Sequence, residues 1–531
     1  MERYRFPRGR DADVLGRFDQ PPGPTQAGDT HVSAIVRVPP ELDAFLRLPN
    51  PQSLIIRGPP GSGKTMLSLA LMETYPGRRV YVSLRISRAS LLTQIPWLGE
   101  IPPGEVEIID VARESDRPRM HPPKTPGPDL LVAEPPESKE LAEFLWLPQA
   151  VQAAWSLTDN RVPTLMVFDS WDAVVDQYFE RVAESSDSGP SRSRVERLLL
   201  ERMARGNISL VLVLERDSPS VLDYQVNGIV ETFRQVEEGR LERWLRVPKL
   251  RGVPVNTDTY PFTLARGRFS ALTANRPGDH YRLQAPCPDP SPSLAGLWPG
   301  STDFADSLGR LRFGALTLFE IDTAVPREVS RVILGPMIIN ALRLGGRVLI
   351  LPPPSLDPED SYVTLREHLP AQVIQEQLRV LSSIPLSEDG EELSEVFVPF
   401  QKIRWTKTGL PVPIPEDPEY LQAALGSKGP NLIVAHLSGL EALTEAAGVT
   451  LIRGVLSGLA RTVFHRNPVH VAAVGRTDDG LFAGVASTAE THIRIRSPHG
   501  RIFVNGHRPY LAPMVLSQES GPEPYHLTTV L

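Results

Sequence analysis

Residues 58–65 read Gly58-Pro59-Pro60-Gly61-Ser62-Gly63-Lys64-Thr65 (GPPGSGKT), directly after the apolar run Ser53-Leu54-Ile55-Ile56-Arg57. Between a strand and a helix, the spacing GxxxxGK[ST] has a specific chemistry. Its glycines let a tight loop turn successive backbone N–H groups toward phosphate oxygens, at the positive end of the following helix. Lys64 is then placed to neutralise the β- and γ-phosphates, and Thr65 to offer its hydroxyl to Mg²⁺. A Gly-rich turn of the same spelling is the bland alternative; the strand before it and the helix pattern over Lys64 to Thr74 disfavour it. The eight residues are therefore the expected ATP site.

Working outward, short β-branched runs alternate with helical stretches from Leu54 to about Leu264, the pattern of a parallel sheet with crossover helices. Strands are expected at Ser53 to Ile56, Arg79 to Leu84, Val106 to Val111, Thr164 to Phe168 and Ile208 to Leu214. Helices are expected at Lys64 to Thr74, Lys139 to Leu157 and Ser193 to Arg205, the last with Ser193 as N-cap and Gly206 as its stop. Residues 114–138 hold too many prolines for a regular element and read as a surface insertion. A P-loop site also needs a carboxylate at the end of a neighbouring strand for the Mg²⁺ shell. Asp169, closing Thr164-Leu165-Met166-Val167-Phe168-Asp169, fills that place; for a lone Asp the competing role is a helix cap.

The second half echoes the first at a period near 267. Gly77 to Val82 returns as Gly345 to Ile350, and Pro163 to Asp169 as Pro430 to His436. A tandem duplication follows, giving an α/β chain of two RecA-like domains, the second degenerate. Its parts are an N-terminal segment 1–35, an ATP-binding domain 36–284, a Pro-rich linker 285–310 and a second domain 311–531. Where the second P-loop should stand, Leu318 to Pro326 has no glycine and carries Glu320 and Asp322, which would repel phosphates. His436 replaces the metal-holding acid there.

Composition bounds the rest. The 531 residues carry a formal charge of −7, which argues against a globally basic nucleic-acid binder. A single cysteine, Cys287, excludes an internal disulfide framework and suits a reducing, cytoplasmic setting. No apolar run is long enough for a membrane span, and the polar N-terminus does not read as a signal peptide.

The layout of strand, GPPGSGKT, helix and FDSWDAV, ending in Val247-Pro248-Lys249-Leu250-Arg251-Gly252 and Tyr260-Pro261-Phe262-Thr263-Leu264, resembles the KaiC branch of RecA-like ATPases over roughly residues 40–270. The stretch Tyr81 to Ser87 and the downstream Pro96-Trp97-Leu98 are similar, more narrowly, to the archaeal GvpD-type P-loop regulators of gas-vesicle genes. The first resemblance implies that Lys249 and Arg251 reach the triphosphate bound by a neighbouring subunit, in a ring, usually a hexamer. The bland reading makes them surface charges.

One departure bears on chemistry. RecA-like enzymes usually place a water-activating glutamate after the strand that follows the P-loop helix, but here Arg85 and Ile86 stand there. Neither side chain can act as a base. Asp172 and Glu215 are the available substitutes, with Glu215 the preferred candidate. Slow hydrolysis is expected rather than weak binding.

Strand alternation in Thr491 to Arg496 puts His492, Arg494 and Arg496 on one face. Together with His499, Arg501, His507 and Arg508 they make 461–508 locally basic. That is either a solvated face or a contact for nucleic acid or an acidic partner. The histidine spacing assigns no metal site. The expected function is an ATP-binding regulatory protein whose nucleotide controls assembly or partner affinity. The alternatives are a DNA-dependent RecA-like ATPase and an autokinase, and the missing acids disfavour both.

Overall fold

The computed structural model describes residues 35–102, 104–111, 162–176, 192–216, 218–272, 281–290, 296–354, 358–382, 396–399, 403–405, 411–413, 431–447, 469–518 and 521–530. The expected helix Lys139 to Leu157 and the insertion 114–138 lie outside them. The apolar runs of the first half form strands β1 (Ile35–Val36), β2 (Ser53–Arg57), β3 (Arg78–Ser83), β4 (Val106–Asp110), β5 (Thr164–Asp169) and β6 (Ile208–Val213). They continue as β7 (Gly228–Glu237), β8 (Arg240–Leu250), β9 (Thr259–Thr263) and β10 (Ser270–Leu272). The sheet order is β1-β10-β9-β8-β7-β2-β6-β5-β3-β4. Its parallel strands β2, β5 and β6 read as near-continuous apolar runs because both faces are covered, by two separate core clusters.

Helix Lys64–Thr74 starts as expected, while the later helix runs Arg192–Arg205. It begins one residue before Ser193, so that serine lies inside the helix and is not its N-cap.

In the second half, β11 (Gly296–Leu297) and β12 (Leu311–Arg312) form a small ribbon, as do β17 (Ile403–Trp405) and β18 (Pro411–Pro413). The main sheet uses β13 (Leu316–Ile321), β14 (Val348–Leu351), β15 (Leu378–Ser382), β16 (Phe397–Pro399), β19 (Asn431–His436) and β20 (Val469–Gly475). It is completed by β21 (Thr491–Arg496), β22 (Phe503–Arg508), β23 (Met514–Ser517) and β24 (His526–Thr529). Its order is β16-β15-β14-β19-β20-β13-β21-β22-β23-β24. Read from the β24 end and shifted by one place, the second order repeats the first, with β13 in the place of β2, β19 of β5 and β14 of β3, while β1 and β16 have no counterpart. The β21–β22 antiparallel turn-back repeats β7–β8. The chain is thus two tandem RecA-like α/β sheets, the second without a P-loop.

Part of the stretch read as a linker is packed on the second sheet's core. Helix Thr302–Leu308 carries the buried Phe304, and the Asn340 side chain donates to the Trp298 carbonyl at 3.1 Å. Residues 34–531 form one compact unit. The halves meet through Trp244, Leu272, Phe503, Val515 and Val530.

Two histidines, one fully buried and one at the end of a sheet strand, make this structure acid-sensitive. His470 on β20 is fully buried, and its Nδ1 meets the Arg312 carbonyl at 2.8 Å; desolvation holds its pKa down to about 4, as it does for His436 on β19. An unfolded chain takes up these protons near pH 6.5, whereas the folded one refuses them until about 4. Stability is therefore fully present above pH 6.5 and is lost as pH falls, by about 2 kcal/mol per histidine at pH 5. Urea midpoints measured from pH 7 to 5 should fall, and His470→Gln should flatten that slope; an unchanged slope would remove His470 from the cause.

Candidate nucleotide site

The loop leaves β2 at Arg57 and re-enters structure at Lys64. Arg57 is itself buried, held by Asp223 and Glu231 at 2.6 Å each. Burial pushes the Glu231 carboxyl up, but Arg57 and Arg246 outweigh it and hold it below the usual carboxylate range. This network fixes the strand from which the loop springs.

Gly58 has φ +152°, and a Cβ there would lie 2.0 Å from the Thr232 carbonyl oxygen on β7. Gly63, at φ +99°, presses within 3.1 Å of the Phe262 ring, measured from a Cβ placed on it. The Tyr-Pro-Phe-Thr strand β9 is thus the wall behind the loop. Ser62 is buried, its Oγ 2.7 Å from the Thr232 hydroxyl. Lys64 Nζ donates to the carbonyls of Gly58 and Pro59, the latter at 3.0 Å, which folds its ammonium over the loop.

Thr65 Oγ1 donates to Asp169 Oδ2 at 2.7 Å, so the two metal-site candidates meet across 104 residues of sequence. Tyr81 on β3 donates to the same oxygen at 2.6 Å. Burial, then the adjacent Asp169 charge, keep the Tyr81 phenol protonated well beyond its ordinary range. An acid with a threonine hydroxyl on one side and a phenol on the other is an oriented acceptor, and this donor set suits Mg²⁺ and its water shell.

Three further placements bear on the expected chemistry. Arg85 and Glu215, which follow β3 and β6, form an ion pair at 2.7 Å on the edge of the sheet that carries Asp169 and the loop. Asp172 is engaged by Arg192 at 2.9 Å and by the Glu215 N–H at 2.8 Å. Lys249 and Arg251 do not meet the loop of their own chain. Ile229 pairs with both Lys249 and Ile55, so Lys249 stands level with the middle of β2 and Arg251 with its start, away from the loop; they donate to the carbonyls of Asp223 and Tyr224 at 2.7 and 3.2 Å. Burial, then the neighbouring Arg251, hold the Lys249 ammonium below its usual range.

Two arginines escaped the sequence reading. Arg243 Nη1 donates to the Gly61 carbonyl at 3.0 Å, and Arg234 Nη1 lies 3.5 Å from a Cβ placed on Gly61. Among the described residues neither has a carboxylate partner. Burial, then Arg234 itself, depress the Arg243 guanidinium. Two mutually repelling cations over a phosphate loop form a field that an anion would relieve. They come from the β7–β8 hairpin, Arg243 lying 182 residues beyond Gly61, so no local motif announces them.

The basic face of β21 is corrected by the structure. His492 and Arg496 are buried, and Arg494 is three-quarters so. Arg494 pairs with Glu238, Glu320 and Asp322, Arg496 with Glu242, and His507 with Glu238 at 3.2 Å. His492 meets Glu320 at 2.8 Å, and Arg501 stacks over the Tyr260 ring. Glu238 and Glu242 belong to the first domain. The alternation that reads as a solvated or nucleic-acid-binding face is largely an internal seam, because an interface strand carries the same spacing as a wet one.

Loop, oriented acid and strand order define a P-loop nucleotide-binding domain. Comparison with known proteins narrows this. Residues 139–248 match the family model described as GvpD gas vesicle protein, P-loop domain, a match that spans Asp169 and the β7–β8 hairpin without drawing on the glycine loop. The chain is 28% identical over 343 residues to Protein GvpD2 of Halobacterium salinarum, covering 62% of this chain and 64% of that protein. Against Protein GvpD1 of the same organism it is 28% identical over 373 residues, 68% and 65% of the two chains. The matches thus span a little under two thirds of each relative. The resemblance to GvpD-type P-loop proteins is shown. Among the described residues, no helix is long and apolar enough to cross a membrane.

Proposed function

We propose that the first domain binds ATP with Mg²⁺ and holds it long relative to hydrolysis, so that the nucleotide acts as a regulatory signal more than as fuel. The observation that carries this reading is the Arg85–Glu215 ion pair on the loop's edge of the sheet: the preferred candidate base is occupied, and the other, Asp172, is held by Arg192. The glycine loop and Lys64 would hold the phosphates, with Arg234 and Arg243 adding charge from above. Thr65 and Asp169 would hold Mg²⁺, which supplies neutralisation of the phosphate oxygens. Arg85→Ala should release Glu215. We expect turnover to rise by roughly 10- to 100-fold, within the range of general-base assistance, with ATP affinity little changed. Unchanged turnover would show that Glu215 is not the base.

The nucleotide state would control self-assembly or partner affinity in a cytoplasmic regulator, as the GvpD resemblance suggests. Such control requires the assembled or partner-bound state to prefer the liganded form, since equal affinity shifts nothing. The KaiC-like reading adds a ring, a hexamer, with Lys249 and Arg251 acting on the neighbour's triphosphate. Their distance from their own loop and their like-charge crowding support that reading. Mixing Lys249→Ala/Arg251→Ala chains with Lys64→Ala chains should restore part of the activity that each lacks alone; no complementation would return the pair to a structural role. A DNA-dependent ATPase is the weaker reading, since the basic residues of 469–508 are largely engaged within the chain.

A further inference from the structure

The second domain lost the phosphate loop but kept the crevice. The carboxyl ends of β13, β14, β19 and β20 and the first turns of helix Arg327–Arg343 enclose a cavity of about 740 Å³. Doubly wound sheets receive ligands at this position, and the volume lies within the range of about 300–1,000 Å³ typical of small-molecule sites. Its floor is apolar, with Ile321, Ile338, Ile350 and Val434 facing the space.

His436 also lines it, at the strand end where Asp169 stands in the first domain. The ring has no hydrogen-bond partner among the described residues. Being uncharged at neutral pH, it offers one N–H donor and one nitrogen acceptor to whatever enters. On the rim stand Arg327, Arg331 and Arg476, none of them in an ion pair among the described residues. Glu328, Asp478 and Asp479 share that rim, and Asp479 already accepts from the Arg476 N–H at 2.7 Å.

We propose that this crevice is a second ligand site, for a small organic anion with an apolar body and a single negative charge. The body would lie on the isoleucine floor, a polar edge would meet His436, and the anionic group would face Arg327 and Arg331. A triphosphate does not fit. The connection Asp322-Thr323-Ala324-Val325-Pro326 has no glycine, Pro326 has no N–H, and the rim carboxylates oppose a polyanion. The site does not depend on the nucleotide reading of the first domain.

The test uses the full chain and two dyes: 8-anilinonaphthalene-1-sulfonate, an aromatic body with one sulfonate, and its neutral analogue N-phenyl-1-naphthylamine. Fluorescence titration should show one saturable sulfonate site, weakened about tenfold in Arg327→Ala/Arg331→Ala, while the neutral dye changes little. Ile321→Trp should fill the floor and remove both dyes, and Lys64→Ala should leave both unaffected. Should Ile321→Trp melt early, Ser330→Trp on the helix wall serves as the blocking variant. Non-saturating binding, indifference to the arginine and blocking variants, or loss of the dye in Lys64→Ala would each overturn the proposal.

Discussion

Lys64→Ala should weaken ATP·Mg²⁺ binding at least about 100-fold, to effective loss at micromolar protein. The ammonium is the one loop cation in reach of the β- and γ-phosphates, and charge-assisted hydrogen bonds to them are worth about 1.5–3 kcal/mol each. Its removal also takes the ammonium from the Gly58 carbonyl and leaves the Pro59 carbonyl with the Ser62 N–H at 3.2 Å. Arg234 and Arg243 would then hold the triphosphate without the group that shapes the loop. A fluorescent ATP analogue titrated against both proteins reads the effect directly; equal affinity would remove GPPGSGKT from the account.

The second large effect lies far from the loop. Trp244 is fully buried at the seam, its ring 5.3 Å from Phe503 and 5.0 Å from His499, and its indole N–H points to Glu242 at 3.3 Å. Glu242 in turn faces Arg496. Trp244→Ala opens a cavity between the two sheets and loosens that ion pair, for a loss of about 3–5 kcal/mol. Urea unfolding should change from one transition to two as the halves uncouple, with ATP binding retained under native conditions. A loss below about 1 kcal/mol would mean that the seam is held elsewhere.

How much of this was legible in the sequence depended on the range of the interactions. Gly58 to Thr65 is a local device whose spacing is its chemistry, and Asp169 follows once a parallel sheet is inferred. The duplication showed through because His436 and Asp169 close strands with matching surroundings. Tyr81, Arg234 and Arg243 did not show, since their roles depend on strand pairing across the sheet and on a hairpin returning over the loop. Arg85 was visible as a missing acid, but its ion pair with Glu215 joins residues 130 apart and needed the fold. The face of His492, Arg494 and Arg496 was misread for the same reason. Alternation reports which side a residue is on, not what covers that side.

The most direct test of the central claim is a single turnover, with protein in excess over γ-labelled ATP·Mg²⁺ and with bound triphosphate and released phosphate followed together. Ordinary enzymes turn over at about 10 s⁻¹, and loss of base assistance removes roughly 10²- to 10⁴-fold. The label should be captured within about a second and then persist as triphosphate with a half-life between roughly 7 s and several minutes. Release of phosphate at several per second from the unmodified chain, or no capture at all, would contradict it.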